Sequence, residues 1–102
     1  MKYVVIFKAQ ILNFDASYDQ TAQALREKAL KHFNCRHFEA LSENGQEIAL
    51  SYWDSLADIR AWHQDAEHQA AQLLGKEKWY KNFSVDICEI TKQYASCSAT
   101  AH

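Results

Sequence analysis

The hydrophobic positions of the chain recur with two different periods, and these periods predict strands and helices in turn. Apolar residues lie on both alternating faces of the run Lys2–Leu12, which is typical of a strand buried on both sides. They recur at helical spacing over Tyr18–Phe33, behind candidate N-caps at Asp15 and Ser17. The pattern therefore predicts a strand followed by one amphipathic helix.

A hairpin and a closing strand are predicted from one turn and one late β-rich run. The segments Arg36–Ser42 and Gln46–Trp53 flank Glu43-Asn44-Gly45, and Asn-Gly between two such runs is the strongest short hairpin pattern. Apolar residues alternate again over Asn82–Tyr94, which indicates the closing strand. The small polar residues 95–102 predict a flexible tail.

A second helix is predicted between the hairpin and the closing strand. Ser55 and Asp58 have capping spacing, and Trp62 lies on the apolar face of the helix that follows them. Asp65 can cap a new start, so we expect the helix to break between Trp62 and His68.

The order βαββαβ is that of the α+β ferredoxin-like fold, an antiparallel sheet with both helices on one face. We expect one such domain over residues 1–94. A sheet that is covered on one face should alternate apolar and polar residues. Apolar residues instead lie on both faces over Tyr3–Phe7 and Ile48–Trp53. We therefore expect a homodimer in which the open sheet face packs against that of a second copy.

Composition and charge limit the classes of partner that the protein is expected to bind. The 102 residues carry a net charge of -2 with acidic and basic residues interspersed, so no basic stripe is present to bind nucleic acid. The apolar run that starts at Tyr3 is too short for a signal peptide, and no run approaches the roughly 18 to 20 residues of a membrane span. Cys35, Cys88 and Cys97 lack CxxC spacing, which favours free thiols in a reducing compartment. These features predict a cytoplasmic protein that binds neither nucleic acid nor membrane.

All three tryptophans, Trp53, Trp62 and Trp79, lie in the single stretch Glu47–Tyr80. Large amphipathic aromatics of this kind form the walls of pockets for flat organic ligands, and they also fill ordinary cores. The stretch is therefore the place where the sequence indicates a binding site, and the alternative is a well-filled core.

The same stretch carries a resemblance to a known family. The element order, together with Glu47–Trp53, Ile59–Trp62, Glu67-His68, Gly75–Tyr80 and a closing strand ending at Tyr94, resembles the antibiotic biosynthesis monooxygenases, which are dimeric α+β barrels. The resemblance covers nearly all of residues 2–94. It implies an oxygenation that runs without metal or flavin, in which an anthrone- or hydroquinone-like substrate itself supplies electrons to dioxygen. It also implies a protein that removes a proton, holds the resulting anion and excludes water.

Within that resemblance, particular side chains suit these tasks. His68 is the candidate base, and the Trp62 indole N–H or the Tyr52 hydroxyl is the candidate donor to the developing oxyanion. His37 and Trp79 are candidates for substrate binding. Each has an alternative: Trp62 and Trp79 as core residues, His68 as a solvated histidine, and His37 in the dimer interface.

Two other functions stay open. One is heme degradation. In the heme-degrading branch of the family, an asparagine lies on the first strand and a heme-ligating histidine lies about ten residues beyond the tryptophan. This chain has Phe7-Lys8 at the first position and Gln72 at the second, which disfavours heme. His63 and His68 are five residues apart and do not share one helical face, so no metal site is expected. A non-catalytic dimer that binds a small ligand is the third alternative.

Overall fold

Two helices pack against one face of a four-stranded antiparallel sheet. The computed structural model describes residues 1–12, 16–65, 69 and 79–96, and only the backbone of Ser17. The elements in chain order are β1 (Tyr3–Ile11), α1 (Ala16–His32), β2 (His37–Glu43), β3 (Gln46–Trp53), α2 (Leu56–Gln64) and β4 (Tyr80–Glu89). The strands lie in the order β2-β3-β1-β4 and every pair is antiparallel. The predicted α+β ferredoxin-like fold is confirmed.

The register of the strands decides which side chains share a face. Val5 of β1 pairs with Ser51 of β3 and with Ile87 of β4, and these three face the helices. The neighbouring positions Val4 and Tyr52 form the adjacent cross-strand pair, so they point to the opposite face. Each strand therefore divides into a helix-facing set and an open-face set.

A hairpin joins β2 and β3, as predicted, and its turn has two residues, one fewer than expected because Glu43 belongs to β2. Asn44 has φ 52° and Gly45 has φ 80°, which are the left-handed conformations that a two-residue hairpin turn requires. A Cβ on Gly45 would lie 3.8 Å from the Ile11 carbonyl oxygen, an ordinary contact. The backbone conformation, rather than lack of space, accounts for the glycine.

The start and end of α2 are also as predicted. Ser55 is the N-cap, and its side chain accepts a hydrogen bond of 3.1 Å from the Asp58 N–H. The helix ends at Gln64, where the Asp65 N–H donates to the Trp62 carbonyl, and Lys28 of α1 forms a 3.1 Å ion pair with Asp65. The helix therefore ends within the predicted interval between Trp62 and His68, and residues 66–68 lie outside the described part of the chain.

One of the two candidate N-caps of α1 and the predicted end of the closing strand were wrong. Helix α1 begins at Ala16, so Ser17 lies inside the helix. The other candidate, Asp15, directly precedes that start and lies outside the described residues, so it stays a prediction. Strand β4 ends at Glu89 instead of Tyr94. Glu89 pairs with Tyr3, the first residue of β1, and beyond that pair the Ile90 N–H still donates a 2.8 Å hydrogen bond to the Lys2 carbonyl.

The buried side chains form two clusters between the sheet and the helices. Trp53 is fully buried in the larger cluster, and its indole N–H donates a 2.9 Å hydrogen bond to the Ser51 hydroxyl. The clusters show that Trp53 is a packing residue. The larger cluster contains Val5, Ala29, Cys35, Trp53, Ile59 and Trp62, and the smaller contains Ile11, Tyr18 and Trp79.

The open face of the sheet carries apolar side chains that no described element of the chain covers. Ile48 and Leu41 are exposed, with 38% and 78% of their surfaces accessible. Val4, Ile6 and Leu50 are partly accessible on the same face. The second apolar face indicated by the sequence is therefore present in the fold.

Two further features bear on the sequence predictions. Cys35 and Cys88 are free cysteines, while Cys97 lies outside the described residues. Neither α1 nor α2 is long and apolar enough to span a membrane.

Candidate active site

A cavity of about 360 Å³ lies between the helix-facing side of the sheet and the two helices. This volume is at the lower end of the roughly 300–1,000 Å³ that is typical of small-molecule pockets. Most of its lining is apolar, which favours a largely apolar ligand. The apolar lining includes Val5, Phe7, Leu25, Phe38, Ile59, Trp62, Trp79, Phe83, Val85 and Ile87, and the polar lining includes Tyr18, Arg26, Glu47, Ser51, Arg60, His63 and Tyr80.

Two of the predicted site residues, Trp62 and Trp79, line this cavity. Trp62 is 8% exposed, and its ring lies 5.4 Å from that of Trp53 and edge-on to Phe38. Trp79 is 3% exposed and makes an edge-to-face contact of 5.3 Å with Tyr18. Both are core residues and cavity walls at once, so the two alternatives considered for them are not exclusive.

Two other predicted site residues, Tyr52 and His37, lie on the open face of the sheet. They are cross-strand partners, with ring centroids 5.7 Å apart, and His37 also lies 3.8 Å from the Glu39 carboxylate. Tyr52 lies between Ser51 and Trp53 in β3, and because both of these face the helices, Tyr52 must face away. The structure therefore does not bring Tyr52 or His37 into the cavity of their own chain.

A polar cluster inside the cavity was not predicted. Glu47 of β3 faces the helices, and its Oε2 accepts a hydrogen bond from the Tyr18 hydroxyl of α1. The Tyr18 and Tyr80 hydroxyls are hydrogen-bonded to each other, and the centres of their rings lie 6.1 Å apart in an edge-to-face arrangement. One helix and two strands thus hold a carboxylate and two phenols at one end of an apolar chamber.

The surroundings shift the pKa values of all three groups upward. Burial raises the pKa of Glu47, although the Tyr18 hydrogen bond and the positive charge of Arg26 act in the opposite direction. Burial and the nearby Glu47 charge raise the pKa of Tyr80 to about 12 and that of Tyr18 higher still. Both tyrosines are therefore hydrogen-bond donors at neutral pH, and Glu47 is a stronger base than a carboxylate in water.

Positive and titratable groups also border the cavity. The Arg26 guanidinium carbon lies 5.4 Å from the centre of the Phe38 ring, in a cation–π arrangement. Arg60 and His63 line the cavity from α2 and are exposed to solvent. An anion formed within the cavity would therefore have a cationic side chain beside it.

A relative with high sequence similarity is the uncharacterized protein YqjZ from Bacillus subtilis (strain 168). It is 33% identical over 92 residues, which cover 89% of this chain and 81% of YqjZ. The chain belongs to the same family as YqjZ. No protein-family model matches the chain.

Solved structures place this YqjZ relative in the fold of the antibiotic biosynthesis monooxygenases. SnoaB, a cofactor-independent oxygenase from Streptomyces nogalater, superposes with a TM-score of 0.77 at 6% identity and covers 93% of this chain and 98% of its own. A proposed antibiotic biosynthesis monooxygenase from Nitrosomonas europaea superposes with a TM-score of 0.73 at 12% identity, covering 87% and 89% of the two chains. The resemblance seen in the sequence is confirmed at the level of the fold.

Two expectations remain for this member of the YqjZ family: His68 as the catalytic base, and the absence of a metal site. His68 and Gln72 lie outside the described residues, so the role of His68 as a base stays a prediction. In the described ranges 1–12, 16–65, 69 and 79–96, no group of three or more His, Cys, Asp or Glu residues could hold a metal ion.

The sequence contains a pattern that would have identified Glu47. On β3 the helix-facing positions are Glu47, Ala49, Ser51 and Trp53, so an acidic residue begins a set that is otherwise small or apolar. A charged residue on the buried side of a strand is unusual unless it is paired or functional.

Proposed function

We propose that the chain is a monooxygenase that oxidises a small electron-rich aromatic substrate with dioxygen, without metal, flavin or heme. The observation that carries this proposal is an apolar cavity of about 360 Å³ into which one carboxylate and two protonated phenols project. The fold shared with SnoaB supports the same reaction class. Because fold alone does not assign function, the chemistry of the cavity is the main support.

An anthrone illustrates the reaction. Loss of a proton from its activated methylene leaves an electron pair on carbon, and this carbanion reduces dioxygen. One oxygen atom stays on the carbon as a new carbonyl, and the other leaves as water with the two methylene hydrogens. The products are a quinone and water. The protein has to accept a proton, stabilise the anion and exclude bulk water.

The cavity supplies groups for these tasks. The rings of Trp62 and Trp79 form walls against which a planar substrate can stack. The Trp79 indole N–H is buried and has no hydrogen-bond partner within the described residues, and the Trp62 indole N–H is a second donor. We assign both tryptophans to substrate contact and to stabilisation of the oxyanion.

Oxygen uptake tests this proposal. Purified protein is supplied with anthrone or methylhydroquinone in the presence of a metal chelator, and saturable uptake with incorporation of one labelled oxygen atom into the product is expected. Trp62→Phe should keep most of the packing while lowering the rate. Tyr52→Phe is the matched control, since its hydroxyl lies on the open face, and it should keep the wild-type rate. Uptake no faster than in buffer for every substrate would contradict the proposal.

We also propose that a second copy of the chain covers the open sheet face. The face offers Val4, Ile6, Leu41, Ile48 and Leu50, and burial of such residues against the same surface forms a symmetric interface. Sedimentation at micromolar concentration should give a dimer, and Ile48→Lys should give a folded monomer. A monomeric wild-type protein would contradict the dimer.

A further inference from the structure

Glu47 is the one carboxylate among the described residues that line the cavity. It projects from β3 toward the helices and lies beside the aromatic walls formed by Tyr80 and Trp79. We propose that Glu47 is the catalytic residue that removes the substrate proton, and that Tyr18 is its positioning residue. The inference rests on the proposed monooxygenase function and identifies a different base from His68.

The hydrogen bond from Tyr18 fixes the orientation of this carboxylate. Tyr18 is 3% exposed, and its ring is held edge-on by Trp79 at 5.3 Å and by Tyr80 at 6.1 Å. Its hydroxyl donates to Oε2 of Glu47. A carboxylate has two acceptor oxygens, so Oε1 can take a proton from the substrate while Oε2 remains bound to Tyr18.

The charges around Glu47 suit a general base. Burial makes its carboxylate more basic, and general bases act best when their pKa lies near the working pH. Three groups on α1 face this carboxylate. The Tyr18 hydrogen bond and the positive charge of Arg26 lower its pKa, and the charge of Asp19 raises it. Tyr80 faces it from β4.

The proton balance of the step is closed. Oε1 of Glu47 takes a proton from the substrate carbon, the electron pair stays on the substrate, and dioxygen accepts it. Glu47 then returns the same proton to the outer oxygen of the carbon-bound peroxide. Loss of the second methylene hydrogen as a proton breaks the O–O bond, so the carbonyl remains and the departing hydroxide takes up that proton as water. A substrate for this site must therefore carry an acidic C–H or O–H next to an aromatic ring that fits among Trp62, Trp79 and Phe83.

The first test separates proton removal from oxygenation. Without dioxygen, the wild-type protein should catalyse exchange of the anthrone methylene hydrogens with deuterium from the solvent, followed by NMR. Glu47→Gln should lower this exchange rate by about 10²–10⁴-fold, the usual contribution of a general base. Glu39→Gln makes the same chemical change on an exposed residue of β2 and should keep the wild-type rate. Exchange that is absent in the wild type, or unchanged in Glu47→Gln, would overturn the inference.

Folding and binding are monitored so that a loss of rate can be interpreted. Glu47→Gln should keep the cooperative unfolding transition and should bind anthraquinone, which has no methylene to deprotonate, within about threefold of the wild type. Glu47→Asp retains a carboxylate and should restore part of the exchange. If Glu47→Asp were as inactive as Glu47→Gln while both bind anthraquinone, the proton-accepting role would be rejected.

The pH profile distinguishes catalysis from structure. The wild-type exchange rate should rise with pH as Glu47 ionises, and Glu47→Gln should lose this rise. Tyr18→Phe should move the rise to higher pH, because the Tyr18 hydrogen bond lowers the pKa of Glu47. If His68→Gln removed the rise and Glu47→Gln kept it, Glu47 would not be the base.

Aerobic uptake then distinguishes the two proposals. Exchange that depends on Glu47, without any oxygen uptake, would uphold the role of Glu47 and reject the monooxygenase function. Oxygen uptake that does not depend on Glu47 would uphold the function and reject Glu47 as the base.

Discussion

The hydrogen bond between Tyr18 and Glu47 links α1 to β3 across the end of the cavity, and its removal should have a measurable cost. Tyr18→Phe deletes one hydroxyl and retains the ring that packs against Trp79. A hydrogen bond to a charged group contributes about 1.5–3 kcal/mol. Glu47 is partly accessible to water, which can replace the lost donor, so the lower end of about 1.5 kcal/mol applies. In a domain of this size such a loss lowers Tm by roughly 6–12 °C.

The effect should depend on pH, since the charged form of Glu47 forms the stronger bond. Burial raises the pKa of Glu47 in the folded protein above its ordinary value of 4.5, so the folded state holds the proton more tightly than the unfolded state. The stability from this group is complete below 4.5 and is lost as pH rises through the raised value. Relative to the wild type, Glu47→Gln should therefore gain stability as pH rises, and Tyr18→Phe should lose it.

Urea denaturation at about pH 4, below the ordinary carboxyl value of 4.5, and at about pH 8 measures both effects. A double-mutant cycle of Tyr18→Phe with Glu47→Met should give a coupling of about 1 kcal/mol at the higher pH. Tyr52→Phe deletes the same hydroxyl on the open face and should change stability by less than about 0.5 kcal/mol. A coupling below about 0.3 kcal/mol, or a Tyr18→Phe cost that is the same at both pH values, would refute the reasoning.

Two further predictions concern a helix cap and a phenol. Ser55→Ala should lower the free energy of unfolding by about 1 kcal/mol, because the Asp58 N–H loses its acceptor. Ser55→Asp should keep the cap. Equal urea midpoints for the wild type and Ser55→Ala would contradict this prediction. Ultraviolet titration, with Tyr80→Phe subtracted to assign the signal, should show Tyr80 ionising at a pKa of about 12, and at a lower pKa in Glu47→Gln because the Glu47 charge contributes to the shift. An unchanged Tyr80 titration in Glu47→Gln would show that the charge does not contribute.

The parts of the fold that could be predicted are those whose causes are local. Asn44-Gly45 supplies two left-handed residues, and Ser55 lies three residues before the N–H that it caps. The end of β4 could not be predicted from a local pattern. Its apolar alternation continues past Glu89, but β1 begins at Tyr3. After the hydrogen bond from Ile90 to Lys2, residues 91–96 pair with no described strand. A strand boundary set by a residue more than eighty positions away in the sequence is not visible in a local pattern.

The candidate site was predicted in part for a similar reason. Trp62 lies on the apolar stripe of a helix, and such a stripe has to face the sheet. On β3 both alternating faces carry apolar residues, so periodicity alone does not decide which one the helices cover. The face with Leu50 and Tyr52 is the more apolar, yet the helices cover the face with Ser51 and Trp53. That choice depends on the fit between elements, such as the Trp53–Ser51 hydrogen bond.

Glu47 is the residue for which folding offers the weakest explanation. A glutamine in its place would keep an acceptor for the Tyr18 hydroxyl and would avoid placing a negative charge in a largely apolar cavity. Because its pKa is raised, the ionised carboxylate lowers the stability of the folded state at neutral pH. The partnership with Tyr18 thus explains where the carboxylate points, but it does not explain why a carboxylate is present. Proton transfer to a ligand in the cavity requires an acid–base group, which an amide is not, and this requirement accounts for the charge.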